Sequence, residues 1–129
     1  MKSLRSPLGR VGGLGSAKSG AHHWWMQRLT SVALVPLTVW FAVALLSLPL
    51  SDHATVVLWM KQSWNSLLLI LLVLVATYHS RLGVQVVVED YIPDAGMKTL
   101  TLVVLTFVHA FLAVAGVFAI LKVAFGGAA

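Results

Sequence analysis

The chain has 129 residues and a mass of 13.9 kDa; 59% of it is hydrophobic, 10% is charged, and the mean hydropathy is +0.91. Soluble domains carry about a quarter of their residues as charges, so this chain has too little polar surface to face water on all sides. Lipid has to be its main solvent, and the net charge of +5 orients it in a membrane rather than serving nucleic-acid binding.

Cysteine is absent, which excludes disulfides, thiolate zinc sites, iron–sulfur ligation and the covalent attachment of c-type haem. Any redox group is therefore held non-covalently. At this length a single apolar bundle is expected, too small for a catalytic cleft of its own.

Residues 1–21, MKSLRSPLGRVGGLGSAKSGA, are rich in Gly and Ser and carry Lys2, Arg5, Arg10 and Lys18 without apolar periodicity. Such a segment buries too little apolar surface to repay the entropy of ordering, so a mobile basic tail, or a strip lying on a partner, is expected. It does not read as a secretory signal, because the apolar run that follows is about twice the length of a signal core. The membrane domain is expected over residues 22–125.

Three long apolar segments follow, at residues 29–50, 64–88 and 100–121, each of 22 to 25 residues and with Arg81 as their only charge. At ~1.5 Å per residue each crosses a hydrocarbon core of ~30 Å. The fold expected is an all-α membrane protein, a bundle of three transmembrane helices over about 27–50, 60–89 and 98–122. Pro36 should kink the first helix, and Pro49 should help end it before the turn at residues 51–53. Pro93, Asp94 and Gly96 mark the connection between the second and third.

Basic residues set the orientation. Lys2, Arg5, Arg10, Lys18, Arg28, Arg81 and Lys98 lie toward one side, and Lys61 and Lys122 toward the other. The excess places the N-terminus and the 89–98 connection in the cytoplasm or its matrix equivalent, with the C-terminus outside. Trp24, Trp25, Trp59 and Trp64 stand where interfacial anchors belong.

Of five histidines, His53 falls in the external turn and reads as a solvated residue. His79 and His109 lie inside apolar segments, where an ionisable group is costly and marks function by default. At 100° per residue, Gly83, Val86 and Asp90 stand close to the direction of His79. One face thus carries an imidazole, a gap one turn on, and a carboxylate about 16 Å further along the axis. The gap would let a flat macrocycle approach the backbone, and a neutral imidazole is the usual axial donor to haem iron. Spacing equally fits a histidine bonded to a neighbouring helix with Gly83 as a close-packing point.

Arg81 points about 200° away from His79, toward headgroups or a bound anion. Arg28, with His22 and His23 shortly before it, is better placed for a carboxylate or propionate near the interface, or for a plain positive-side anchor. His109 has no companion glycine or carboxylate and reads more readily as an interhelical hydrogen bond than as a ligand. Tyr91, beside Asp90 at the interface, is either an aromatic-belt residue or a donor to a quinone carbonyl with a proton route at its side.

The stretch HSRLGVQVVVEDY, with His79, Gly83, Asp90 and Tyr91, together with His22 six residues before Arg28 and Leu-Thr-Ser opening the first span, resembles the smaller hydrophobic membrane-anchor subunit of succinate dehydrogenase, respiratory complex II, of the cytochrome b556 type. The resemblance covers essentially residues 20–125. It implies that His79 is one of two axial ligands of a b-type haem, the other coming from a companion cytochrome b anchor subunit. It implies that Tyr91 hydrogen-bonds ubiquinone, with Asp90 beside that site and Arg28 and His22 near the haem propionates. An iron–sulfur subunit and a flavoprotein subunit complete the implied complex, in which this chain alone catalyses nothing. The Arg-His-Leu core that marks the companion cytochrome b anchor is missing here. Some related fumarate reductase anchors lack haem, so a cofactor-free structural anchor is the alternative. A small transporter would need paired intramembrane carboxylates, which this chain lacks, and a haem held by His79 and His109 together is a further alternative.

Overall fold

The computed structural model describes residues 19–126; the expected tail, apart from its last three residues, lies outside them. Four helices occur among the described residues: α1 (Ser19–Ser47), α2 (His53–Lys61), α3 (Ser63–Tyr91) and α4 (Ala95–Phe125). The three long ones are long and apolar enough to cross a membrane, as the sequence predicts.

α1 starts about two turns before the expected position, taking in His22, His23, Trp24 and Trp25. The apolar pattern begins only at Leu29, but residues 21–28 contain no Gly or Pro, so α1 extends into the polar stretch. Pro36 does not end it. α1 stops at Ser47, two residues before Pro49, and the Asp52 N–H closes the following turn on the Pro49 carbonyl at 2.9 Å.

α2 was not foreseen. Asp52 caps it, accepting the Ala54 N–H at 3.1 Å and the Thr55 hydroxyl, which satisfies donors that a helix start leaves open. The expected second helix, from about residue 60, is in fact divided at Gln62, whose extended backbone ends α2 and begins α3. The buried Asn65 pins this break: its side-chain amide donates to the Trp59 carbonyl at 2.8 Å and to the Gln62 side chain at 3.0 Å. His53, expected in a solvated turn, is the exposed first residue of α2.

The connection between α3 and α4 is only Ile92, Pro93 and Asp94. Asp94 caps α4 by accepting the Met97 N–H at 2.7 Å, and the Lys98 ammonium donates to the Glu89 carbonyl at 2.9 Å across the turn. α3 is the middle of the structure, touching α1, α2 and α4, whereas the backbones of α1 and α4 do not approach each other. Few side chains are buried: Leu69, Leu82, Val88 and Ile120 among the apolar ones, with Thr30 and Asn65 among the polar. Long rows of Val, Leu and Phe on α1 and α4 face outward, as suits helices surrounded by lipid or by further helices.

α3 and α4 pack closely at Gly116, where an added Cβ would lie 2.7 Å from Val73 Cγ1. Valine is stiff at χ1 and cannot swing clear, so small size at this position sets the helix separation. Gly116→Ala is expected to destabilise the packed protein by about 1–3 kcal/mol. Gly96→Ala, which meets only Asp94 Oδ1 at 3.4 Å, should leave stability nearly unchanged; unfolding midpoints in detergent check the contrast. The hydrogen bond from Thr55 holds the Asp52 carboxyl below the usual aspartate range. Its cap on α2 is therefore at full strength above the ordinary aspartate pKa and lost as pH falls through the lowered one, which amide exchange in α2 should report.

Candidate functional site

A polar seam runs between α1 and the second half of α3. Thr30, on α1, is 7% exposed, and its hydroxyl reaches the carbonyl oxygens of Met26 and Gln27 at 2.8 and 3.0 Å. The same oxygen lies 2.9 Å from Nδ1 of His79 on α3. One turn earlier on α1, the Gln27 amide nitrogen stands 3.4 Å from His79 Nε2. A Cβ on Gly83 would lie 3.6 Å from that amide. His79 and Gly83 thus share a face, as their spacing predicts, and in this chain the gap at Gly83 is bordered by Gln27.

Beside the seam lies a cleft of about 670 Å³, lined by His22, His23, Gln27, Arg28, Tyr78, Gln85 and Glu89 among others. That volume is in the range of ligand-binding sites. Among the described residues two buried polar atoms have no hydrogen-bond partner, His23 Nε2 and Gln27 Oε1, in side chains that line the cleft. Buried polar atoms without partners are costly in an apolar medium, so these two side chains are under pressure to rearrange. Arg28 sits over the Trp24 ring at 4.3 Å, a cation–π contact that holds the guanidinium at the cleft.

Arg28 and His22, both exposed, line this cleft. Asp90 and Tyr91 do not; they stand exposed at the end of α3, with Tyr91 81% accessible. The carboxylate on the cleft is Glu89, which accepts the Gln85 side-chain N–H at 2.8 Å. Tyr91 is about 18 Å from His79 along the helix at ~1.5 Å per residue.

His109 faces elsewhere. Its Nδ1 donates to the Leu105 carbonyl at 2.9 Å, which leaves Nε2 to accept the Ser80 hydroxyl at 3.3 Å. This is the interhelical bond favoured by the sequence. His79 engages α1 and His109 engages α3 from α4, so the two imidazoles do not converge on one site. Arg81, Tyr78 and His109 share a separate cavity of about 280 Å³ between α3 and α4.

The sequence reading missed Thr30, Gln27, Gln85 and Glu89, and weighed His23 only as a neighbour of Arg28. Gln27 and Thr30 carry a visible signal: two polar side chains three residues apart, on one face at the polar end of the first span. Gln85 and Glu89 are likewise one turn apart.

The geometry defines a multi-pass membrane protein with a polar seam and, at one end of its central helix, a cleft that carries one charge of each sign, Arg28 and Glu89. The family model for the succinate dehydrogenase/fumarate reductase transmembrane subunit matches residues 2–120, and the chain belongs to that family. Within it, the chain is a membrane anchor subunit of succinate dehydrogenase. The hydrophobic membrane anchor subunit from Rickettsia conorii is 39% identical over 95 residues, covering 72% of this chain and 75% of the relative. Its counterpart from Rickettsia bellii is 38% identical over 89 residues, covering 69% and 71%. The succinate dehydrogenase membrane anchor subunit of Reclinomonas americana is 33% identical over 79 residues, covering 58% and 65%. No solved structure matches the chain.

Hydrogen bonds between transmembrane helices contribute about 0.6 kcal/mol on average. A double-mutant cycle on Ser80→Ala and His109→Leu is expected to return a coupling of that size, measured from unfolding midpoints, with no change at the α1–α3 seam.

Proposed function

We propose that this anchor co-ligates a b-type haem through His79 and helps form the site at which succinate dehydrogenase reduces ubiquinone. The observation that carries the proposal is the position of His79: an imidazole within an apolar span, on one face with Gly83, its Nε2 facing Gln27, which in turn lines the neighbouring cleft that carries Arg28, His22 and Glu89. These residues fit a haem. A neutral imidazole nitrogen is an axial donor, and Arg28 supplies a positive charge for a propionate, with the His22 ring nitrogens as further hydrogen-bonding groups. A bound haem would supply one-electron storage between the iron–sulfur centres and the quinone.

The other axial ligand would come from the companion cytochrome b anchor, because His109 is turned away from His79 and pairs with Ser80. At the end of α3, the Tyr91 hydroxyl donates to a quinone carbonyl, and Asp90 beside it receives and passes protons from the adjoining water. The exposure of both residues leaves them free to face a quinone and a neighbouring subunit. Electrons from succinate would enter through the flavoprotein and iron–sulfur subunits. These would sit on the cytoplasmic or matrix side of the inner membrane, where the excess of basic residues puts the N-terminus and the α3–α4 turn.

A cofactor-free anchor is the second reading. Its support is that both nitrogens of His79 already have partners within the chain.

An optical spectrum of the membrane complex separates the two. Succinate is expected to bring up reduced b-type haem bands in the native complex and after His109→Leu, but not after His79→Ala. Tyr91→Phe should slow succinate-driven ubiquinone reduction about tenfold, the worth of one strong hydrogen bond, while leaving succinate oxidation by an artificial acceptor intact. A native complex without haem bands overturns the haem proposal, and full quinone reduction by Tyr91→Phe overturns the role of Tyr91.

A further inference from the structure

Thr30 has one hydroxyl proton, and the backbone claims it. The Met26 and Gln27 carbonyl oxygens lie 2.8 and 3.0 Å from Oγ1, and a carbonyl can only accept. Towards His79 the oxygen therefore offers lone pairs alone. With that proton directed at a carbonyl, the oxygen 2.9 Å from Nδ1 accepts from an Nδ1–H, the arrangement in which the proton is on Nδ1 and the free lone pair on Nε2. The orientation of the Gln27 side chain matches this arrangement, its NH₂ group facing Nε2. A donor belongs opposite a bare lone pair.

The two contacts differ in strength. Thr30 is buried, its bond to the imidazole is short, and donation to the carbonyls polarises its oxygen into a better acceptor. Gln27 stands at 3.4 Å, beyond the usual range for N–H···N contacts of good geometry, and its own Oε1 is buried with no partner. The side chain also lines the cleft, so it lies between the imidazole lone pair and the open volume.

We infer that Thr30 is a positioning residue that fixes His79 in the Nδ1–H tautomer with Nε2 as the metal donor, and that the Gln27 amide is a displaceable cap on that donor. This rests on His79 being the haem ligand of the preceding section. Ligating histidines generally give their second N–H to a protein acceptor, which orients the ring and raises its basicity; here the acceptor is a threonine on the neighbouring span. A more basic imidazole favours ferric iron, so the Thr30 bond holds the haem potential down.

The test uses the assembled complex. Thr30→Val keeps the shape and removes the acceptor, Thr30→Ala removes it without adding a methyl, and Thr30→Ser restores it. Subunit stoichiometry serves as the folding control. Haem retention should fall about 10- to 100-fold in the Val and Ala variants, the usual cost of losing such a partner. Haem that remains should show a raised midpoint potential and altered low-spin ferric resonance positions, and Thr30→Ser should match the native complex in all three measurements. Native potential and resonances in both Thr30→Val and Thr30→Ala overturn the role of Thr30 while leaving the haem assignment in place. A native complex without haem overturns the assignment itself. Gln27→Ala should bind haem as tightly as the native protein or more so; a loss as large as that of Thr30→Val would overturn the cap.

Discussion

An imidazole inside a membrane span needs partners for both nitrogens, because hydrocarbon offers none. The contact between α1 and α3 is arranged around that need. Thr30 and Gln27, one turn apart on α1, meet the two nitrogens of His79, and Gly83 leaves room for the amide of Gln27. The remaining polar groups of the cleft follow from the same register: once Thr30 is level with His79, the start of α1 lies beside the last turns of α3, which brings His22, His23 and Arg28 to Gln85 and Glu89.

The rest of the chain serves as a support that is open to its surroundings. α3 is clasped by α1 on one side and by α4 and α2 on others, with α1 and α4 apart, so no sealed core forms and most large apolar side chains face outward. A protein in water could not sustain this, but a span surrounded by lipid loses little by it, because lipid tails are as apolar as its own side chains. Where α3 and α4 do close, they close through Gly116 on Val73 and through the Ser80–His109 hydrogen bond. These are the packing devices of membrane helices, small size and interhelical polar contact. An anchor subunit fits this form, since its exposed helix faces remain available to a companion subunit.

Much of this was legible in the sequence. The three spans follow from apolar run length, and the shared face of His79 and Gly83 from helical spacing. His109 as an interhelical bond followed from the lack of companions on its face. What stayed hidden depended on local capping and on register. α2 rests on Asp52 and Thr55, a cap that is easily overlooked beside Pro49, and the break at Gln62 is held by Asn65, a contact that no periodicity reveals. The partners of His79 could not be named because they depend on how far α1 slides along α3. For the same reason, helical direction alone put Asp90 on the His79 face, whereas Glu89 lines the cleft.

The most direct measurement is an experimental structure of the whole complex, resolved well enough to place the ring of His79. An iron atom bonded to its Nε2, with Thr30 still at Nδ1 and the Gln27 side chain turned away, is the expected result. A complex in which Gln27 remains on Nε2, and any haem takes both axial ligands from other chains, would contradict it.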